Sequence, residues 1–213
     1  MNDYIDIYCE RLEPGLWAEP LNAVTNAAFF IAAICALMLA RKRNALGADS
    51  GILIALIIVI GTGSTLFHTL ATGWAQLSDV LPILLYQITF IILYAHNVMK
   101  LGTVKTALVL GAFFATIYGF QQLPQSWLNG SLGYAPALLF VLGLGVWHFK
   151  KAAVERFGLL AAGLTFIVSL SFRSIDMQIC DMLPIGTHFL WHTLNGCVLY
   201  LTTRAYLLNA KNP

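Results

Sequence analysis

Residues 51–72 read GILIALIIVIGTGSTLFHTLAT, an unbroken apolar stretch without a single Asp, Glu, Lys or Arg. At 1.5 Å rise per residue it is long enough to cross a hydrocarbon core, which takes about 20 helical residues. Lipid offers the backbone no hydrogen-bond partner, so the segment must be a helix. Near its end it carries Ser64 and His68, four residues apart and therefore on one helical face. Polar and titratable groups at such depth are costly and mark function.

Similar uncharged stretches recur at about 20–40, 80–99, 106–122, 132–149, 157–172 and 183–203. The fourth and sixth spans are the shortest, close to the lower limit of about 17 residues. Of the 213 residues, 59% are hydrophobic and 10% charged, with mean hydropathy +0.76. Soluble domains carry about a quarter charged residues. The fold expected is an all-α membrane protein, a seven-transmembrane helix bundle. No repeat, basic run or low-complexity linker divides it, so residues 1–213 read as a single domain. Net charge of +2 is too small to suggest nucleic acid. Residues 1–19 are acidic and lack the basic flank of a signal peptide, and read as an outer arm.

Lysine and arginine orient the bundle. Arg41, Lys42 and Arg43 follow the first span, and Lys100 and Lys105 separate the third from the fourth. Lys150, Lys151 and Arg156 separate the fifth from the sixth, and Arg204 and Lys211 follow the seventh. The opposite set of loops holds only Arg11 and Arg173, a split of ten against two. The N-terminus is therefore expected outside and the C-terminus in the cytoplasm. His68 then lies near the outer end of span two, and Asp79 at the outer start of span three. His188 and His192, in Gly186-Thr187-His188-Phe189-Leu190-Trp191-His192, fall in the outer half of span seven. Residues distant in sequence thus share one depth, on the outer (periplasmic or lumenal) side.

Three neutral imidazoles with a fourth position left for water form the ligand set of a catalytic zinc. His68, His188 and His192 supply the three. Zinc lowers the pKa of water to about 7, and a carboxylate can carry the proton from water to a leaving group. Asp79 is the carboxylate expected to do so, although Asp at a helix start also serves as a cap, with Pro82 suiting the first turn. Ser64 can orient water or donate to an oxyanion, while serine and glycine in Gly61-Thr62-Gly63-Ser64 also suit close helix packing. The set fits metal-assisted hydrolysis of a carbonyl compound that arrives from the lipid. Haem ligation by histidines on two helices is a competing use. His96 and His148, near the cytoplasmic ends of their spans, read as packing residues, as do Asn22, Thr25 and Asn26 in the first span, which can alternatively support the site.

The motifs Gly63-Ser64-Thr65-Leu66-Phe67-His68, Asp79-Val80-Leu81-Pro82 and His188-Phe189-Leu190-Trp191-His192 resemble the alkaline ceramidase family. So do Tyr8-Cys9-Glu10-Arg11 and the segment Trp17 to Asn26. That family belongs to a wider group of seven-span hydrolases that includes the adiponectin and progestin receptors. The resemblance implies zinc on His68, His188 and His192, with Ser64 and Asp79 beside it. It implies cleavage of an amide in ceramide, or in a related N-acyl lipid, into an amine-bearing lipid and a fatty acid. A receptor-like protein with a structural or vestigial zinc is the alternative. The membrane lipid is the partner implied; no obligate protein partner is. Eukaryotic members also carry calcium, on an acidic N-terminal motif plus a later glutamate. Glu10 and Glu19 match two of its ligands, but Ile7 meets the motif's leading aspartate (Asp6 is adjacent) and Leu12 its asparagine.

Four cysteines remain to be placed. Cys9 and Cys180 both fall on the outer side, where disulfides persist, and a bridge between them would tie the arm to the start of span seven. Cys35 and Cys197 lie within spans and read as packing residues.

Overall fold

The computed structural model describes residues 3–124, 126–151 and 154–210; Lys211, counted above among the inner basic residues, lies outside them. Among the described residues the regular structure is helical, apart from one bridge between Tyr4 and Thr72. A short α1 (Pro20–Thr25), with proline at its start where a missing N–H costs nothing, leads into α2 (Ala27–Lys42). Then come α3 (Ala48–Leu70), α4 (Gly73–Leu93) with a π-helical last turn (Tyr94–Val98), and α5 (Thr103–Gln121). A 3-10 segment (Trp127–Tyr134) opens α6 (Ala135–Lys151), followed by α7 (Gly158–Ile175) and α8 (His188–Asn209).

Among the described residues, six helical segments are long and apolar enough to cross a membrane, beginning with Pro20–Lys42, which joins α1 to α2. The chain is an integral membrane protein. The expected seventh span corresponds to α8, 22 residues long. Its N-terminal half carries His188, His192, Thr193 and Asn195, which lower its mean hydropathy. Large apolar side chains such as Ile31, Met38, Leu108 and Leu164 lie exposed on the outer helix faces. Such a surface suits lipid rather than water.

Helices adjacent in sequence pack on one another, and α8 lies against both α7 and α2, which closes the bundle. The tightest crossing joins α3 to α4 across the two-residue connection Ala71–Thr72. A Cβ at Gly63 would stand 1.9 Å from the Ser78 carbonyl oxygen, so only glycine lets the two backbones meet there. Pro82, four residues after Ser78, has no N–H to offer that carbonyl. The sequence reading begins this helix at 80. It begins at Gly73, so Asp79 sits in the second turn rather than capping the first, and Pro82 is an interior residue. The polar residues Gln76, Ser78 and Asp79 depressed the hydropathy that marks a span. Likewise α8 starts at His188, not at 183.

The arm before α1 folds back over one end of the bundle. The Ile5 amide donates to the Ala71 carbonyl at 2.8 Å, and Tyr8, Cys9 and Arg11 are buried. At the other end His148 is buried and hydrogen-bonded with the Tyr94 hydroxyl, remote from the other histidines in use, while His96 is exposed. Cys35 and Cys197 do not pack inside as expected; both lie on exposed helix faces.

Candidate metal centre

The last turns of α3 and the first turns of α8 meet beneath the arm. This brings His68, His188 and His192 together, each no more than 2% exposed. One nitrogen from each ring lies within 4.8 Å of the other two. Among the described residues this is the one cluster of three or more histidine, cysteine or acidic side chains so arranged that it can hold a metal.

Each ring is held by its own partner. The Nδ1–H of His68 donates to Glu19 Oε2 at 2.5 Å, which leaves Nε2 buried with no hydrogen-bond partner. The Thr25 hydroxyl donates to the Leu21 carbonyl at 2.8 Å, so its oxygen is free to accept from Nδ1–H of His192, 3.1 Å away. His188 stacks on the Tyr8 ring at 3.7 Å between centroids, and its Nδ1 is buried without a partner. Buried ring nitrogens left unpaired are expensive. A cation shared between the three rings removes that cost. Carboxylate and hydroxyl partners on the far ring nitrogens are what metal-binding histidines ordinarily have. The residues fit a divalent metal with nitrogen preference.

Asp176, which the sequence did not single out, anchors the start of α8. Its buried carboxylate accepts from the amides of Thr187 (2.6 Å), His188 (2.9 Å) and Cys9 (3.1 Å). A negative group at a helix N-terminus is favourable. Gly186 makes room for it: φ is +62°, and a Cβ there would lie 2.2 Å from Asp176 Oδ1. The Cys9 and Cys180 sulfurs are 1.98 Å apart, with Cα atoms separated by 5.2 Å, so the arm and the segment before α8 meet there.

Ser64 and Asp79 follow directly on the Gly63–Ser78 contact, one on each helix. Both stand at the wall of an apolar pocket lined by Ile83, Tyr86, Phe90, Leu144, Phe166, Trp191 and Val198. A pocket of this kind suits an acyl chain, with the polar pair at its side. Arg173 is a second residue without a sequence signal. Its guanidinium lies over the Tyr134 and Trp191 rings, at 5.1 and 5.8 Å, and donates to the Asn129 carbonyl and Ser131 hydroxyl.

Glu10 and Glu19 do not fit calcium. The Glu10 carboxylate accepts from the first free amides of α1, Leu21 at 2.6 Å and Asn22 at 2.8 Å, and so caps that helix. Glu19 is committed to His68, Arg11 and the Asn22 amide group. Burial pushes the Glu19 carboxyl up, but these three donors outweigh it and hold the group below the usual carboxylate range. Burial likewise opposes the charge of Arg11, and the Glu19 carboxylate more than restores it. Leu12 points outward, 82% exposed, and brings no oxygen. Calcium needs six to eight oxygens, and the two carboxylates matched to it are instead engaged by these protein donors.

Fold and site together define a class: an integral membrane protein whose helices gather three buried histidines that can hold a metal, beside a serine–aspartate pair and an apolar pocket. The chain belongs to the ceramidase family, whose family model, described as "Ceramidase", matches residues 15–211. Membership implies a hydrolase that acts on amide bonds, with a lipid as its substrate. No individually curated protein matches the chain.

Proposed function

We propose that this protein is a zinc-dependent amidase that cleaves ceramide, or a related N-acyl lipid, within the membrane. The observation that carries the reading is the pair of buried, unpartnered nitrogens on His68 and His188, close to Ser64 and Asp79 at the wall of an apolar pocket. His68 through Nε2, His192 through Nε2 and one nitrogen of His188 would hold the metal. When bound, zinc supplies Lewis acidity that makes water nucleophilic near neutral pH. Asp79 takes one proton from the attacking water and delivers it to the departing nitrogen as the carbon–oxygen bond forms and the carbon–nitrogen bond breaks. Ser64 donates its hydroxyl proton toward the developing oxyanion. The products are a free amine on the lipid and a fatty acid.

In this reading the bundle has seven spans in one domain, with the N-terminus and the site on the outer side, an orientation that the ten-to-two charge split supports. A Cys9–Cys180 disulfide is compatible with that oxidising side.

Metal analysis of the purified protein, with mass spectrometry of products from ceramides and N-acyl amino lipids, tests the reading. We expect about one zinc per chain. His188→Ala should lose metal and turnover together, whereas Asp79→Ala should keep metal and lose turnover by at least about 100-fold. Protein free of zinc, or zinc-loaded protein that binds lipid amides and never releases fatty acid, would overturn it; the second result favours a receptor-like role.

A further inference from the structure

We infer that Arg11 is a positioning residue: a built-in cation that fixes Glu19, and through it His68, where the family resemblance calls for calcium. The inference rests on the metal reading of the histidines for its last link, and on the arm's own geometry for the rest.

Arg11 is 3% exposed, as is Glu19, and His68 is fully buried. The guanidinium is used on three sides. Its Nε–H donates to Glu19 Oε1, one terminal nitrogen donates to the Gly15 carbonyl at 3.3 Å, and the other donates to the backbone carbonyl of His68 at 2.9 Å. Tyr4 lies beneath its plane, 5.6 Å away. One side chain therefore binds the carboxylate that orients the His68 ring and the backbone of His68 itself. Glu19 Oε2 receives the ring N–H of His68 and the Asn22 side-chain amide, so both oxygens are spoken for.

A buried carboxylate needs a counter-charge. Two solutions exist at this spot. A hard divalent cation needs an oxygen-rich shell, which the arm has lost at Ile7 and Leu12. A guanidinium is planar, permanently charged and brings its own donors in a fork that matches a carboxylate. Arg11 is the second solution, and it holds the position a divalent ion would need. It lies ahead of the residues the family model matches, which begin at 15. The charge of the arm is thereby covalently attached to the chain, and the site is independent of the calcium around it.

The test uses the full-length, zinc-loaded protein in lipid nanodiscs, freed of calcium by dialysis. Addition of millimolar calcium should leave the melting temperature and the zinc content of the wild type unchanged. Arg11→Met should weaken zinc about 10–100-fold, the cost of removing an outer-shell partner of a ligand histidine, and should alter the visible spectrum of the cobalt-substituted protein. Arg11→Lys should recover part of both, because it restores charge without the fork. Should Arg11→Met not accumulate, Glu19→Gln, which keeps the shape of the side chain and removes its charge, gives the same readouts. A saturable rise in the wild type's melting temperature with calcium would overturn the inference, as would zinc held equally tightly by the wild type and the variant. Wild type devoid of transition metal would instead sink the metal reading beneath it.

Discussion

Three histidines bear on one point, yet each is steadied by different chemistry: a carboxylate for His68, a hydroxyl for His192, an aromatic face and a capped helix start for His188. Thr25 shows how little is needed. Its hydroxyl satisfies a helix carbonyl and still presents a lone pair to the ring. Thr25→Val keeps the shape and removes that lone pair. We expect zinc affinity to fall about tenfold with helix content unchanged, as read by competition with a chromophoric chelator and by circular dichroism. At this scale the sequence was legible where chemistry leaves a spacing. His188 and His192 lie four apart, and Ser64 precedes His68 by one turn, so a helical period exposes both pairs. Arg11, Asp176 and Arg173 left no such trace, because each acts through backbone groups or through partners fixed only by the fold. Glu19 was noticed, but as a calcium ligand; an arginine eight residues upstream had already taken its charge.

Between elements, one crossing does most of the positioning. Gly63 and the Ser78 carbonyl bring α3 and α4 into backbone contact, and the next residue on each helix is a member of the serine–aspartate pair. Gly63→Val would drive the helices apart and separate Ser64 from Asp79. We expect a stability loss of about 1–3 kcal/mol, the usual penalty for overpacking, and turnover reduced far more than zinc content. Thermal melts and metal analysis of the same sample check both halves. Helix identity was readable from hydropathy alone, but helix starts were not. Polar residues near the start of span three made an apolar window begin it too late, whereas the apolar Leu183, Pro184 and Ile185 ahead of α8 made it begin span seven too early. The site sits where the membrane signal is weakest, because the residues that do chemistry are those that lipid rejects.

Over the whole molecule, Cys9 and Cys180 lie 171 positions apart and meet beside the metal centre. A bond between them ties the arm to the turn before α8, next to the carboxylate of Asp176 that receives the Cys9 amide. Cys180→Ser should lower stability by about 2–5 kcal/mol and speed zinc loss, as measured by melting and by chelator-driven release under non-reducing conditions. The membrane-spanning helices were legible in composition, and the orientation we propose rests on the placement of lysine and arginine. Nothing in composition foretold that the arm would be buried, because its residues look like an acidic, solvated leader until their partners are known. That burial has a kinetic consequence. With the arm seated over the histidines and an apolar pocket opening among the helices, the substrate that matters is counted per unit area of bilayer rather than per litre. Initial rates should track the mole fraction of N-acyl lipid in a vesicle and stay constant when the vesicles themselves are diluted in excess over protein. An enzyme fed from the aqueous phase would slow on dilution; this one should respond only when its lipid is thinned out by inert neighbours.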